Sequence, residues 1–421
     1  IDQYFSPIPA RKIPNPVQVP VLDSSKIEQR QFTVQKGSDL AKFNIYMNGK
    51  NEKLQPALAL APALFTMQPS GTLYKSMVET GISTAVQSTT WLDQDFNVVF
   101  MGAIYAPNHD AKKVGDALVD GVENSKTFTD AELQRIKNIT QNTADTIAND
   151  AVALGSRLSD YAVSSHGQWD EYFRDLEAIQ NLKLEDANQT LKQFLVASHR
   201  ISGDILPTPE DQKKAMTLKT EDKPKTLDQD TEQAEPLKDP SVYQQEVKQF
   251  IEQSAQQLQK NEKKIQRGEL KNGIRYALFP TPTRDDKTYA TISLDFGNEK
   301  SLFGKGVILD LTSYLMLRGS EKHTLQEITD KAIAASGGAS VSSNGNGMTI
   351  VVQAKKDKFE DFLSFIIDVI KQPKFSQSEF DLAKNQSLSA LDRPYTEPAI
   401  VSSMTLARLL ETYQPGDLRY H

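Results

Sequence analysis

Phe128-Thr129-Asp130-Ala131-Glu132-Leu133, followed by Lys137-Asn138, returns later in the chain as Phe375-Ser376-Gln377-Ser378-Glu379-Phe380, followed by Lys384-Asn385. The two stretches share the ungapped pattern F-[ST]-x-[AS]-E-[LF]-x-x-x-K-N. Its physics is that of a helix start. Thr129 and Ser376 can accept from the free amides of the first turn, and Glu132 and Glu379, three positions on, can complete a capping box. Phe128 and Phe375 fall at the position where an apolar side chain closes a hydrophobic staple. A capping box alone is common, so the surroundings decide. Both copies follow an apolar strand, a short polar loop and an amphipathic helix. The strand Phe96–Tyr105 corresponds to Met348–Gln353, and the helix Val114–Val122 to Phe362–Ile370. The chain reads as an internal duplication.

Working outward, the first copy lies in a module that opens with strand-like alternation at Phe32–Val34 and Phe43–Met47. Helices are expected at about Pro56–Phe65, Gly71–Thr80, Ala111–Ser125 and Asp130–Ala151, with more between Trp169 and Ala197. The second copy lies in a module that opens at Leu270–Ile274. There an Asn272-Gly273 turn feeds the strand Ile274–Phe279, a strong hairpin signal. Tyr289–Phe296 and Met348–Gln353 read as strands, and Val307–Leu317, Leu325–Ser336 and Phe359–Lys371 as helices, with another starting near Ser376. Ser343–Gly347 reads as a hairpin turn and Gly337-Gly338 as a helix C-cap with a tight turn.

The expected organisation has four parts. Residues 1–29 form an extended connector whose Pro7, Pro9, Pro14, Pro16 and Pro20 remove backbone donors. Residues 30–210 form the first module. Residues 211–265 form a charged linker, extended at first and ending in a polar helix at about Tyr243–Ile265. Residues 266–421 form the second module. The fold class is α+β: two homologous modules, each a mostly antiparallel sheet covered by helices, joined by the long polar linker.

Composition narrows the functions. With 38% hydrophobic and 24% charged residues over 421 positions, the chain can bury ordinary cores without staples. A net charge of −7 and no extended Lys/Arg patch argue against nucleic-acid binding. The absence of cysteine excludes disulfides, thiolate zinc sites and cysteine nucleophiles. No apolar run is long enough to span a membrane.

Several segments together resemble the pitrilysin/insulinase family of zinc metallopeptidases. In the second module they are Leu270–Phe279, Ile292–Gly297, Leu315-Met316-Leu317-Arg318-Gly319-Ser320, Thr324–Ile328 and Ser336–Ser340. In the first they are Ser70–Lys75 with Val78-Glu79, and Asp170–Phe173. The resemblance implies a protein of four such modules in two halves, closing like a clamshell around a peptide. It implies zinc in the first of the four, held by an H-x-x-E-H helix and a distant Glu. Two histidines at i and i+4 face one side of a helix, and the intervening Glu is the general base on a zinc-bound water. This chain would be the second and third modules, the latter truncated at its C-terminus.

The helix matching the zinc helix precedes Gly319-Ser320, and the matching positions are Asp310, Ser313 and Tyr314. None forms a histidine-type zinc site, and Ser313 cannot serve as a carboxylate base. The helix expected to give the third ligand runs through Ala383-Lys384-Asn385-Gln386, with no Glu there. The five histidines, His109, His166, His199, His323 and His421, are too scattered to share a helical face. Ser164-Ser165-His166-Gly167 is not a nucleophile arrangement, because a serine enzyme's base is set by the fold and not by adjacency. The expectation is therefore no catalytic residue, no cofactor site and no metal ligand in this chain, with zinc in the presumed full-length protein.

The function implied is that of a non-catalytic portion of a zinc metalloendopeptidase, forming part of the peptide-enclosing chamber. The alternative is an inactive structural or partner subunit. Expected partners are a peptide or unfolded protein and the catalytic module or an active subunit, with no nucleic acid and no membrane span. By resemblance the protein is expected to be periplasmic or otherwise exported.

Overall fold

A computed structural model describes Pro9 and residues 22–413, apart from 38, 94, 126, 166, 210–238, 284, 299, 345 and 392–397. Most of the proline-rich connector, the first half of the linker, His166, His421 and the final stretch from Gln414 lie outside the described residues.

The described residues divide into two compact units. One takes those through Thr208 and those from Lys287 onward, and the other takes Pro209 and those from 239 through Asp286. In the first unit, β1 (Gln31–Gln35), β2 (Ala41–Gly49), β3 (Ala85–Leu92), β4 (Phe96–Ile104) and β5 (Arg200–Leu206) form one sheet in the order β1-β5-β2-β4-β3. Only β1 and β5 pair in parallel. Around this sheet lie α1 (Gln55–Thr66), α2 (Ala111–Glu123), α3 (Asp130–Ala148), α4 (Ala151–Ser164), α5 (Glu171–Asn181) and α6 (Leu184–Phe194). The helices form because apolar residues recur every three or four positions. On α2 these are Val114, Leu118 and Val122, all buried. They join Leu58, Phe65, Val99 and Met101 in one core.

The other unit holds α7 (Pro240–Glu262) and a hairpin of β6 (Gln266–Glu269) and β7 (Arg275–Leu278). Gly273, at φ 84°, turns the hairpin as the Asn-Gly dipeptide predicts.

The second module in the first unit contains β8 (Lys287–Asp295), α8 (Gly306–Leu315), α9 (Leu325–Ala334), β9 (Gly338–Asn344), β10 (Gly347–Lys355), α10 (Phe359–Lys371), α11 (Gln377–Leu391) and α12 (Pro398–Leu409). Its sheet order is β8-β10-β9, antiparallel throughout. This is the order β2-β4-β3 again. β2 pairs with β4 over nine residues, from Ala41↔Ile104 to Gly49↔Phe96, and β8 with β10 over nine, from Lys287↔Lys355 to Asp295↔Gly347. Phe362, Ile366 and Val369 of α10 are buried on β10, as Val114, Leu118 and Val122 are in the first copy. The fold is two α+β modules with mostly antiparallel sheets.

Three local readings need correction. The strands β3 and β5 were not expected. One is a polar edge, and the other is a short run interrupted by Gly203. α3 stops at Ala148, because Asp150 caps a separate helix, α4, through the amides of Val152 and Ala153. At the end of α9 the left-handed residue is Ser336, at φ 45°, and not a glycine. Gly337 is required for another reason: a Cβ there would meet the Gln353 carbonyl oxygen at 2.2 Å.

The repeated pattern has equivalent places but different surroundings. Phe128 is 6% exposed and meets the Phe65 ring edge-on at 5.3 Å. The Asn188 side chain accepts from its amide at 2.7 Å and donates to its carbonyl at 3.0 Å. Lys137 is buried and donates to the carbonyls of Gln180 and Leu182 at 2.8 and 2.6 Å. Phe375 is 46% exposed and Lys384 is exposed. Truncating Phe128 to Ala should therefore cost about 3–5 kcal/mol in urea unfolding, the range for a buried aromatic. Phe375→Ala should cost under about 1 kcal/mol, as for exposed sites. Equal losses at the two positions would contradict this difference in packing.

Candidate functional site

α8 is the helix to which the zinc-binding pattern maps. It packs against β9, β10 and α11, with Ser313 and Leu315 buried. Asp310 accepts a hydrogen bond from the Ser343 hydroxyl of β9. Ser313 is 4% exposed, and its hydroxyl has no hydrogen-bond partner among the described residues. Tyr314, one turn from Asp310, lies half-exposed under the Arg318 guanidinium, 5.0 Å from the ring centroid. The structure thus brings Asp310, Ser313 and Tyr314 to one short helix. Their donors are a carboxylate already engaged, a buried hydroxyl and a phenol beside a fixed cation. That set does not fit a zinc ion, which takes imidazole, thiolate or carboxylate in a tetrahedral arrangement.

α11, the counterpart of the third-ligand helix, packs on α8. Ala383 is buried, and Gln386 donates to the Thr84 carbonyl at 3.4 Å. Asn385 and Gln386 line a cleft of about 740 Å³ whose other wall includes Glu79, Ser83 and His109. His109 contacts the adjacent Asn108 side chain at 3.0 Å, and His199 contacts the Phe194 carbonyl at 2.8 Å. The His323 ring lies against Phe365 at 4.8 Å. Among the described residues no three His, Asp or Glu side chains gather as metal ligands would.

What occupies the junction of α8 and α11 is Arg318. Its Nε donates to the Glu379 carboxylate at 2.7 Å, and an Nη donates to the Tyr74 hydroxyl at 3.4 Å. With its amide oxygen turned toward the guanidinium, Gln68 accepts from Arg318 at 2.9 Å. Burial alone would lower the Arg318 pKa, but Tyr314, Glu379 and Tyr74 outweigh it and the pKa is raised. The sequence reading missed this role. It placed Glu379 in a capping box, like Glu132. Thr129 and Glu132 do form a complete box. At the second copy only the bond from the Glu379 amide to the Ser376 hydroxyl is made, at 3.4 Å, and the carboxylate goes to Arg318. The signal available was Arg318, three positions past the end of α8 and four after Tyr314.

A second cleft, of about 500 Å³, lies beside the edge strand β3. Its lining includes Trp91, Arg157, Asp160, Tyr161 and Asp175. Burial pushes the Asp175 carboxyl up, against the opposing effect of the hydrogen bond from the Tyr161 hydroxyl at 3.1 Å.

Comparison with known proteins agrees with the sequence resemblance. Residues 1–140 match the family model described as the Peptidase M16 inactive domain. Over those residues the chain is similar to the inactive domain of a zinc-protease family, the one to which the pitrilysin/insulinase resemblance pointed. Comparison with curated protein sequences gives no match.

Among solved structures, the chain is similar to the inactive peptidase domain assigned to a zinc protease of Bordetella parapertussis. Identity is 26%, over 42% of this chain and 97% of that one, with a TM-score of 0.38. It is similar to a mutant of the ferredoxin protease FusC in complex with Arabidopsis ferredoxin, at 14% identity, over 98% of this chain and 48% of that one, TM-score 0.44. It is also similar to the periplasmic protease PqqL of Escherichia coli, at 14% identity, over 97% of this chain and 47% of that one, TM-score 0.37. The chain thus spans about half the length of FusC and of PqqL. No described helix is long and apolar enough to cross a membrane.

Ser313 supplies a test of the emptied helix. A buried hydroxyl without a partner costs free energy, so Ser313→Ala should leave the protein as stable or stabilise it by about 1 kcal/mol in thermal melts. A loss of 2 kcal/mol or more, on the scale of a buried polar group that had a partner, would show that the hydroxyl is used.

Proposed function

We propose that this chain is the non-catalytic portion of a zinc metalloendopeptidase, residues 30–210 and 266–421 being the second and third of its modules. The observation that carries the reading is the match of residues 1–140 to an inactive peptidase domain. It is supported by a second α+β module whose metal-motif positions hold Asp310, Ser313 and Tyr314. The zinc and its general base belong, in this proposal, to a catalytic module elsewhere in the full protein, exported to the periplasm.

The role of this portion is to wall a chamber for an extended peptide. β3 and its counterpart β9 are both sheet edges. An edge strand offers unpaired backbone donors and acceptors to a peptide with little demand on sequence. Beside β3, the half-exposed Trp91 and the cleft of about 500 Å³ give room for side chains. Trp91 meets Phe100 edge-on at 6.5 Å, which holds its ring at that edge.

Removing the other tryptophan, as Trp169→Phe, leaves Trp91 as a single fluorophore. Titration with an unfolded, uncharged peptide should shift its emission and slow amide exchange along Ala85–Leu92, with the peptide recovered intact. Chelator-sensitive cleavage by this chain alone would overturn the non-catalytic reading. An unchanged Trp91 signal together with unchanged exchange at β3 would remove the edge as the binding surface.

A further inference from the structure

Two guanidinium groups cross between the modules. Arg318 is held by Glu379 from α11 and reaches Tyr74 and Gln68 of the first module. Its side chain is 11% exposed and that of Glu379 20%. A second contact joins α9 to the first module: Arg135 of α3 grips Asp330 in a fork, Nε to Oδ1 at 2.5 Å and Nη2 to Oδ2 at 3.1 Å. Two turns further along α3, Asn142 donates to the Ile333 carbonyl at 3.0 Å and accepts from the Ser336 hydroxyl at 2.8 Å. Ser336 is the residue whose left-handed backbone ends α9, so its hydroxyl is presented by the cap itself.

These contacts are polar and directional. The core clusters of the two modules share no residue. An interface built this way differs from a continuous apolar core. Forked arginine–carboxylate pairs fix orientation strongly, yet they are weakened by salt where solvent reaches them. Asp330, 41% exposed, is such a place.

We propose that α8, α9 and α11 together are a docking surface for the first module, and that Arg135–Asp330 and the hydrogen bonds from Arg318, held by Glu379, to Tyr74 and Gln68 form a polar lock that sets the angle between the modules and is salt-reversible at Asp330. The helix pair that would grip a metal in an active copy here grips an arginine, whose fixed charge is spent on Tyr74 and Gln68. The inference deepens the proposed chamber-wall role and rests on it for its purpose: release of the lock lets one wall swing. The contacts themselves do not depend on that reading.

The test uses the full chain, which has no cysteine, so Val152→Cys on α4 and Glu360→Cys on α10 take a donor–acceptor dye pair at exposed positions. The wild-type background should give one narrow distance distribution in low salt. Arg135→Ala with Arg318→Ala should lengthen and broaden it, each lost lock reducing the docked fraction roughly tenfold, and 1 M salt should move the wild type the same way. The charge exchange Arg135→Asp with Asp330→Arg should restore the narrow distribution, which a merely misfolded variant would not do. Glu379→Gln, which keeps the side chain's shape, should broaden the distribution with circular dichroism unchanged. The proposal is overturned if the double-alanine protein keeps the wild-type distance, or if the exchanged pair folds but stays broad. Neither result bears on peptide cleavage, which is read separately.

Discussion

The constraint on which the whole architecture depends is the burial of one face of an amphipathic helix against the central strand of an antiparallel sheet. In the first module Val114, Leu118 and Val122 meet the sheet around β4, and in the second Phe362, Ile366 and Val369 meet β10. Side chains three and four apart fall on one helical face, and alternate strand residues fall on one sheet face, so the two periodicities must match wherever this contact is made. Once that contact is fixed, the following helix starts at a set place, and the Phe-Ser/Thr-x-x-Glu pattern marks it twice. Duplication preserved the packing unit and left the surface positions free to change.

What changed is the chemistry of the outward positions. At the first copy Phe128 is packed on Phe65, Lys137 caps the carbonyls ending α5, and Glu132 closes its own box. At the second, Phe375 and Lys384 face solvent and Glu379 turns to Arg318. The same helix start therefore stabilises a closed module in one case and holds a cross-module arginine in the other. α8 illustrates the same freedom. Its inward Ser313 and Leu315 pack, while Asp310 and Tyr314 have ordinary side-chain partners in Ser343 and Arg318.

The features legible in the sequence were those whose cause is local. The Asn272-Gly273 hairpin, the cap at Thr129, and the apolar spacing of α2 and α10 all depend on residues within a turn or two. The features that escaped depend on distant partners. β5 is stabilised by β1 and β2, more than 150 positions earlier, and its own seven residues carry too weak an alternation to stand out. Glu379 looked like a capping residue because its box partner is three positions away, whereas Arg318 is 61 away and the ion pair wins. That Asp310, Ser313 and Tyr314 share one helix could be read from the spacing. That a guanidinium fills the junction between the two helices needed the fold.

The account stands or falls on whether this doubled scaffold can hold a divalent ion. Native mass spectrometry of the intact chain, mixed with an equimolar amount of zinc at neutral pH, measures this directly. The account predicts the mass of the metal-free polypeptide, with no adduct that survives a weak chelator. A stoichiometric zinc adduct that resists the chelator, and is lost on replacing Asp310 or a histidine, would contradict it.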